Sequence, residues 1–296
     1  MPYLTETIMQ ILTDKEYFAY PAISKSQLHQ YDPLNPIAFW RGCKLNPQCT
    51  PDKETDAMVN GKLRHMLLLE PQKFEQEFLV IEGGYGFGTR NTKAFQKVIE
   101  DNPGKTVITQ EMLDTAKLQI DTLKSYSLIQ SVLEGATVEK AFLWTDEETG
   151  LPLKCKLDLI KNIADGLVIT EYKGASNMDN ISKGIDIPGW QWDAGMQTKA
   201  IKAKYGVTPF KMLFIVQSTI VGEEHKILPI SIDSETCEFC EDFVNIALGK
   251  IAARIEKYNA GDPDAWRSEL MEQTFMGTNG TCFSYGFDRL FEAIKG

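Results

Sequence analysis

No apolar run in this chain comes near the roughly 20 residues that a membrane-spanning helix needs, although 43% of its 296 residues are hydrophobic. A soluble globular protein is therefore expected. The N-terminus lacks a basic stretch followed by an apolar one, the pattern of a secretory leader, so the cytoplasm is the expected compartment. Six cysteines in so long a chain are too few for a disulfide framework. Repeats and low-complexity tracts are also missing. Basic residues are outnumbered, with 31 Lys and Arg against 41 Asp and Glu, for a net charge of −10. That excludes a protein that coats nucleic acid indiscriminately, because phosphate contacts are made by Lys and Arg. It leaves room for a narrow basic channel, which Lys154, Lys156 and Lys161, then Lys199, Lys202, Lys204 and Lys211, could line.

Residues 1 to about 110 read as irregular and helical. Pro33, Pro36, Pro47 and Pro51 break the chain there, and Ser24-Lys25-Ser26-Gln27 opens a short helix. From about 110 the pattern sharpens. A helix is predicted at about 110–133, strands near 138–145, 152–160 and 166–173, and a helix at about 188–205. Strands near 210–218 and 225–231 and a last helix at about 233–259 follow. Helix, three-stranded meander, helix, strand is a mixed α/β (α+β) layer architecture, a central mixed sheet flanked by helices. The expected division is an N-terminal part of the same domain at 1–110, a core at 111–262 and, after Pro263, a C-terminal appendage at 263–296.

Chemistry concentrates on the hairpin within that core. Leu153, Cys155, Leu157 and Leu159 alternate with Lys154, Lys156 and Asp158, while Leu167-Val168-Ile169 leads into Glu171-Tyr172-Lys173 after a turn at Asp165-Gly166. Strand residues two apart share a face, so Glu171 and Lys173 project together, and either probable hairpin register adds Asp158 to that face. Carboxylates mounted on buried strands carry a desolvation cost that a metal or cation partner usually offsets. Two hard oxygen ligands beside an ammonium suit Mg²⁺ or Mn²⁺ and a water activated against a phosphodiester.

Three further segments carry a resemblance. Gly61-Lys62-Leu63-Arg64-His65-Met66-Leu67-Leu68-Leu69-Glu70-Pro71, with Phe74 following, resembles the glycine-to-histidine helix of the exodeoxyribonuclease VIII family of phage and prophage recombination nucleases. Upstream, Ile23-Ser24-Lys25-Ser26-Gln27-Leu28 and Pro36-Ile37-Ala38-Phe39 are similar to that family's opening. Downstream, Arg90-Asn91-Thr92-Lys93 is similar to its Arg/Thr/Lys loop, and Glu139, Gly150, Lys156-x-Asp158 and Glu171-x-Lys173 fall in its order. The resemblance spans roughly residues 20–232. It implies a PD-(D/E)xK restriction-endonuclease-like core, by analogy of fold and motif.

Carried over residue by residue, the resemblance implies that Asp158, Glu171 and the backbone carbonyl of Tyr172 ligate the metal and that Lys173 activates water. Glu139 matches an acid of the first strand, and an even-length loop through Asp146 to Thr149 would keep it on the face of Asp158. His65 matches a histidine that approaches the metal through its imidazole. Where the family carries a Gln and a Tyr one helical turn apart, an ungapped match puts Asp193 and Gln197. These still share a helix face and could reach the nucleotide or the metal's water shell. Trp190 and Trp192 could stack on a frayed base, although tryptophans before a helix more often anchor a core.

The stretch Gly83-Gly84-Tyr85-Gly86-Phe87-Gly88 neither follows a strand nor opens a helix in a βαβ unit, so it reads as a mobile loop and not a dinucleotide site. Its neighbours Arg90 and Lys93 are candidates for holding a DNA phosphate. Some nucleases of the superfamily carry an iron–sulfur cluster, for which Cys43 or Cys49 with Cys237, Cys240 and Cys282 would be the ligands; buried free thiols are expected instead. The function implied is an Mg²⁺-dependent exodeoxyribonuclease, with Mn²⁺ as a substitute, acting in the bacterial host cytoplasm. It would digest one strand of linear double-stranded DNA 5′ to 3′, releasing 5′-phosphomononucleotides. Implied partners are a single-strand annealing protein and copies of the chain in a ring-shaped homo-oligomer. The alternatives are a non-catalytic DNA-end binding scaffold and an endonuclease of the same superfamily.

Overall fold

The structure, a computed structural model, describes residues 14–50, 54–82, 92–184 and 189–267. The N-terminal part holds α1 (Asp14–Ala19), β1 (Ile23–Ser24), α2 (Lys25–Leu28), α3 (Ile37–Gly42) and α4 (Asp56–Leu69). A 3-10 turn at Pro71–Lys73 leads to α5 (Phe74–Glu77), β2 (Phe78–Ile81), α6 (Lys93–Asp101) and β3 (Thr106–Thr109). Then come α7 (Gln110–Lys124), α8 (Ser127–Leu133), β4 (Thr137–Thr145), β5 (Pro152–Ile163) and β6 (Gly166–Ala175). The chain continues through α9 (Met178–Ser182), α10 (Trp190–Tyr205), β7 (Lys211–Ser218), β8 (Ile227–Asp233) and α11 (Ser234–Asn259). Among the described residues no helix is long and apolar enough to cross a membrane.

The main sheet is mixed and six-stranded, and β5 is its pivot. One edge of β5 pairs antiparallel with β4, from Thr137↔Ile160 to Thr145↔Pro152. The other edge is shared: β1 lies parallel to Leu153 and Lys154, and β6 runs antiparallel to residues 159–163. Residues 155–158 lie between these two ladders, so the sheet opens a notch beside Asp158. From there β6 pairs in parallel with β7, from Val168↔Lys211 to Ala175↔Ser218, and β8 closes the sheet antiparallel to β7.

Helices cover both faces, which the near-continuous apolar run of β7 requires of a central strand. On one face Ile169, Met212, Phe214 and Val216 pack with Ala194, Ala200 and Ile201 of α10 and with Cys237 and Cys240 of α11. On the other, Tyr172, Ile215 and Leu159 meet Leu68 and Leu69 of α4, Ile120 and Leu123 of α7 and Ile129 of α8. The contact of α10 with α11 is tight enough to require a glycine. A Cβ on Gly195 would lie 2.2 Å from the carbonyl oxygen of Cys240.

Three strands lie where the sequence reads as irregular and helical. β1 adds to the main sheet, and β2 and β3 form a separate parallel pair. The single helix predicted at about 110–133 is two, parted at Ser125 and Tyr126. There the Ser125 hydroxyl donates to the Thr122 carbonyl and satisfies a group that a continuing helix would have paired. Beyond Pro263, Ala265 and Trp266 are buried with the core, the Trp266 ring stacked on Trp40 at 4.4 Å.

Candidate active site

The notch sets the chemistry. Where β5 and β6 part, the backbone N–H of Tyr172 has lost its ladder partner on β5, and the carboxylate of Asp158 accepts it at 2.9 Å. Continuing the β5–β6 register places Asp158 opposite Glu171, so the two acids face each other across the opening. Glu139 enters from the other edge of β5, between Val138↔Leu159 and Lys140↔Leu157, with φ of 50°. That is left-handed backbone, costing a residue with a long side chain on the order of 1–3 kcal/mol. Alternation also slips at this step: Val138 and Phe142, four apart on β4, join different core clusters, while Leu157 and Ile160, three apart on β5, join the same one.

His65, on α4, brings Nδ1 to 3.6 Å from Asp158 Oδ2 and 3.9 Å from Glu139 Oε1. One ligand atom each from His65, Glu139 and Asp158 lie within 4.8 Å of one another. Two carboxylates and an imidazole form a donor set for a divalent cation, and the charges leave room for one. Burial and the negative charge of Glu171 push the Asp158 carboxyl up to about 6, against His65 and Lys25. Burial opposes the charge on Glu139 too, but His65 and the Lys156 ammonium, 2.6 Å away, outweigh it and hold this acid down at about 2. Burial likewise works against a charged His65, and the three acids around it raise it nonetheless.

Glu171 stands outside the trio and is bracketed by cations. Its Oε1 accepts from Lys25 at 2.5 Å and from Lys173 at 3.0 Å, and its Oε2 from the Gln197 amide at 2.6 Å. Burial opposes its charge, but Lys173 and Lys25 keep it below the usual range. Lys173 pairs in turn with Asp193 Oδ2 at 2.7 Å, and the other Asp193 oxygen meets His29 Nε2 at 3.0 Å. Burial disfavours the ammonium of Lys173, yet Glu171 and Asp193 raise its affinity for the proton above that of a free lysine. Asp193 is held well below the usual carboxylate range, burial being outweighed by Lys173 and His29.

A cavity of about 660 Å³ leads onto the acids, walled by Ser24, Lys25 and Gln27 on one side and Lys62, His65 and Met66 on the other. Glu139, Asp158 and Glu171 line it as well. Asp193 and Gln197 are buried behind Glu171, one helical turn apart as their spacing predicts. The Tyr172 side chain points away, its hydroxyl donating to Gln217 at 2.9 Å.

The other candidates lie elsewhere. Trp190 stacks on Phe214 at 5.1 Å and Trp192 is buried against Phe243, so both act as core anchors. Lys93 is exposed at the start of α6, away from the cavity wall. Arg90, the glycine-rich stretch and Cys282 lie outside the described residues. Cys43 packs in a different core cluster from Cys237 and Cys240, each a free thiol.

Of the lysines read as channel lining, Lys154 and Lys156 do line the cavity, but several have their ammonium groups taken up by the protein. Lys154 is buried and donates to the carbonyls of Tyr17, Phe18 and Tyr20, and Lys199 pairs with Asp146 at 2.7 Å. Lys202 pairs with Glu241 at 2.6 Å. Two site residues escape sequence reasoning. Lys25 and His29 touch the acids from 146 and 164 residues away, and no local spacing announces them.

The sequence matches one family, described as a PDDEXK-like domain of unknown function (DUF3799), over residues 42–260. Among solved structures, one from Eubacterium rectale described as a "Putative exonuclease" has a TM-score of 0.54 and 12% identity, covering 93% of this chain and 96% of its own. A second, SSO0001, is 18% identical over 45% of this chain and 67% of its own, and its TM-score of 0.25 carries no argument about fold. No curated protein matches the sequence.

Proposed function

The chain belongs to this PDDEXK-like family, hence to the PD-(D/E)xK nuclease superfamily, and from that premise we propose a divalent-metal-dependent exodeoxyribonuclease. It digests one strand of linear double-stranded DNA from an end, 5′ to 3′, to 5′-phosphomononucleotides, in the manner of the exodeoxyribonuclease VIII family that its motifs resemble. The observation that carries this reading is the convergence of Asp158, Glu139, His65 and Glu171 on one cavity, with Lys173 paired to Glu171 behind it.

Asp158, Glu139 and His65 would hold the metal, with Mg²⁺ as the cofactor and Mn²⁺ as its substitute. Bound there, a divalent cation supplies Lewis-acid stabilisation of the attacked phosphate and a nucleophilic water. The protein's own groups do the rest. Lys173, kept protonated between Glu171 and Asp193, acts as a fixed positive charge that orients the water and stabilises charge developing on the phosphate, and not as the base. Gln197 fixes the second oxygen of Glu171, so this carboxylate is preorganised before substrate arrives.

A non-catalytic DNA-end binding scaffold is the competing reading. One observation favours it: both oxygens of Glu171 already have partners. Digestion of linear duplex labelled at the 5′ or the 3′ end, with Mg²⁺ or EDTA and with closed circles alongside, separates the two. The exonuclease predicts metal-dependent loss of one end label as mononucleotide, absent from circles and from Lys173→Ala. End binding without cleavage would establish the scaffold. The same reading includes a ring-shaped homo-oligomer around the duplex and an annealing protein that takes the exposed strand; a monomer mass by light scattering would refute the ring.

A further inference from the structure

Of the five lysines that line the cavity, Lys25, Lys44, Lys62, Lys154 and Lys156, three are committed to partners other than Glu171. Lys154 is held by three backbone carbonyls, Lys156 by Glu139, and Lys62 by Glu77 and Thr106 at 3.2 and 3.0 Å. Lys173, behind Glu171, is gripped by two carboxylates. Lys25 differs. Its ammonium reaches one oxygen of Glu171, the same oxygen that accepts from Lys173, while Gln197 occupies the other. If Lys25 swung away, Glu171 would still have a cation and an amide.

The backbone beneath Lys25 is fixed. Ser24 N–H donates to Gln27 Oε1 at 3.0 Å, and the Ser24 hydroxyl accepts from Gln27 N–H at 3.4 Å, closing a capping box around the residue. Only the flexible four-carbon stem needs to move, and it moves in a cavity wall where the side chain is 17% exposed. Two positive charges cannot both sit against Glu171 at full strength, since like charges a few ångströms apart in a buried site repel by several-fold more than in water.

We propose that Lys25 is the exchangeable cation of this site: its ammonium neutralises Glu171 in the metal-free protein and passes to a phosphate oxygen of the substrate strand once a divalent cation is bound. The inference rests on the nuclease reading above. It gives Lys25 two states with opposite consequences, competition with metal and assistance to substrate, and both can be measured without turnover.

The experiment titrates Mn²⁺ alone into metal-free wild type and Lys25→Gln by calorimetry, then measures binding of a fluorescent linear duplex in Ca²⁺ by anisotropy. Lys25→Gln should bind Mn²⁺ about tenfold more tightly and the duplex about tenfold more weakly than wild type. If the Gln variant does not fold, Lys25→Met, which also removes the charge and keeps an apolar stem, answers the same question. Mn²⁺ affinity that stays level or falls overturns the proposal, and so does unchanged duplex affinity. Wild type that binds Mn²⁺ but no duplex overturns the nuclease reading itself, and the proposal with it. Wild type that binds both while the variant differs in neither overturns the role of Lys25 alone.

Discussion

Lys173 and Asp193 are joined by a 2.7 Å ion pair across the gap between β6 and α10, and His29 braces the far oxygen of Asp193 at 3.0 Å. The aspartate thus acts on the lysine as a buried orienting group. Asp193→Asn keeps the shape and removes the charge. It should lower the single-turnover cleavage rate about ten- to a hundredfold, the usual effect of losing a group that orients a catalytic one. Duplex affinity should stay within about threefold of wild type. A loss of affinity with an unchanged rate would place Asp193 on the substrate and not on Lys173.

Metal uptake should displace a proton near neutral pH. Burial and Glu171 hold Asp158 protonated up to about 6, and a ligand must ionise before it coordinates. His65 is raised too and must shed its proton to coordinate, so Mn²⁺ affinity should fall as pH drops below about 6, and calorimetry in buffers of different ionisation enthalpy should count more released protons at pH 5.5 than at pH 8.

The same groups set the pH dependence of stability, with opposite signs. Asp158 binds its proton more tightly folded than unfolded, so its contribution is present below about pH 4 and is lost as pH rises through 6. Glu139 binds its proton less tightly folded, so its contribution is present above about pH 4.5 and is lost as pH falls towards 2. Mn²⁺ should accordingly raise the melting temperature more at pH 8 than at pH 5; an equal increase at both would show that neither Asp158 nor His65 is a proton-coupled ligand.

How far this site was legible depended on local periodicity. Asp158, Glu171 and Lys173 lie on long strands, where two-residue alternation brings them to one place, and Asp193 and Gln197 on a helix, where four residues make one turn. Lys25 and His29 arrive through β1, a strand of two residues that shows no period. β2 and β3 are four residues each, too short for an apolar run to be told from a buried helical turn. The burial of Trp266 against Trp40 is a long-range contact of the same kind, set by packing and not by any local signal.

Packing of α10 on α11 gives a prediction about the fold alone. With its Cβ 2.2 Å from Cys240 O and 2.5 Å from Val244 Cγ2, Gly195→Ala must push the helices apart. Overpacking of this kind costs about 1–3 kcal/mol, read as a lower urea midpoint in EDTA. Because α10 carries Asp193 and Gln197, the variant should also lose cleavage beyond what its folded fraction explains.

Glu139 should show function and stability pulling apart. Its φ of 50° is strain for any residue with a Cβ and almost none for glycine. Glu139→Ala and Glu139→Gly both delete the carboxylate, leaving Lys156 and His65 equally without it, so the difference between them isolates the backbone. Glycine should be the more stable by about 1 kcal/mol in urea titrations with EDTA, whereas a regular strand would favour alanine by about as much. Both variants should bind Mn²⁺ about ten- to a hundredfold more weakly than wild type, since one of three converging donors is gone. An alanine variant as stable as the glycine one would mean the left-handed backbone relaxes once the carboxylate is removed. The strain would then be maintained by the pull of His65 and Lys156 on Glu139, and not by the strand pairing on either side of it.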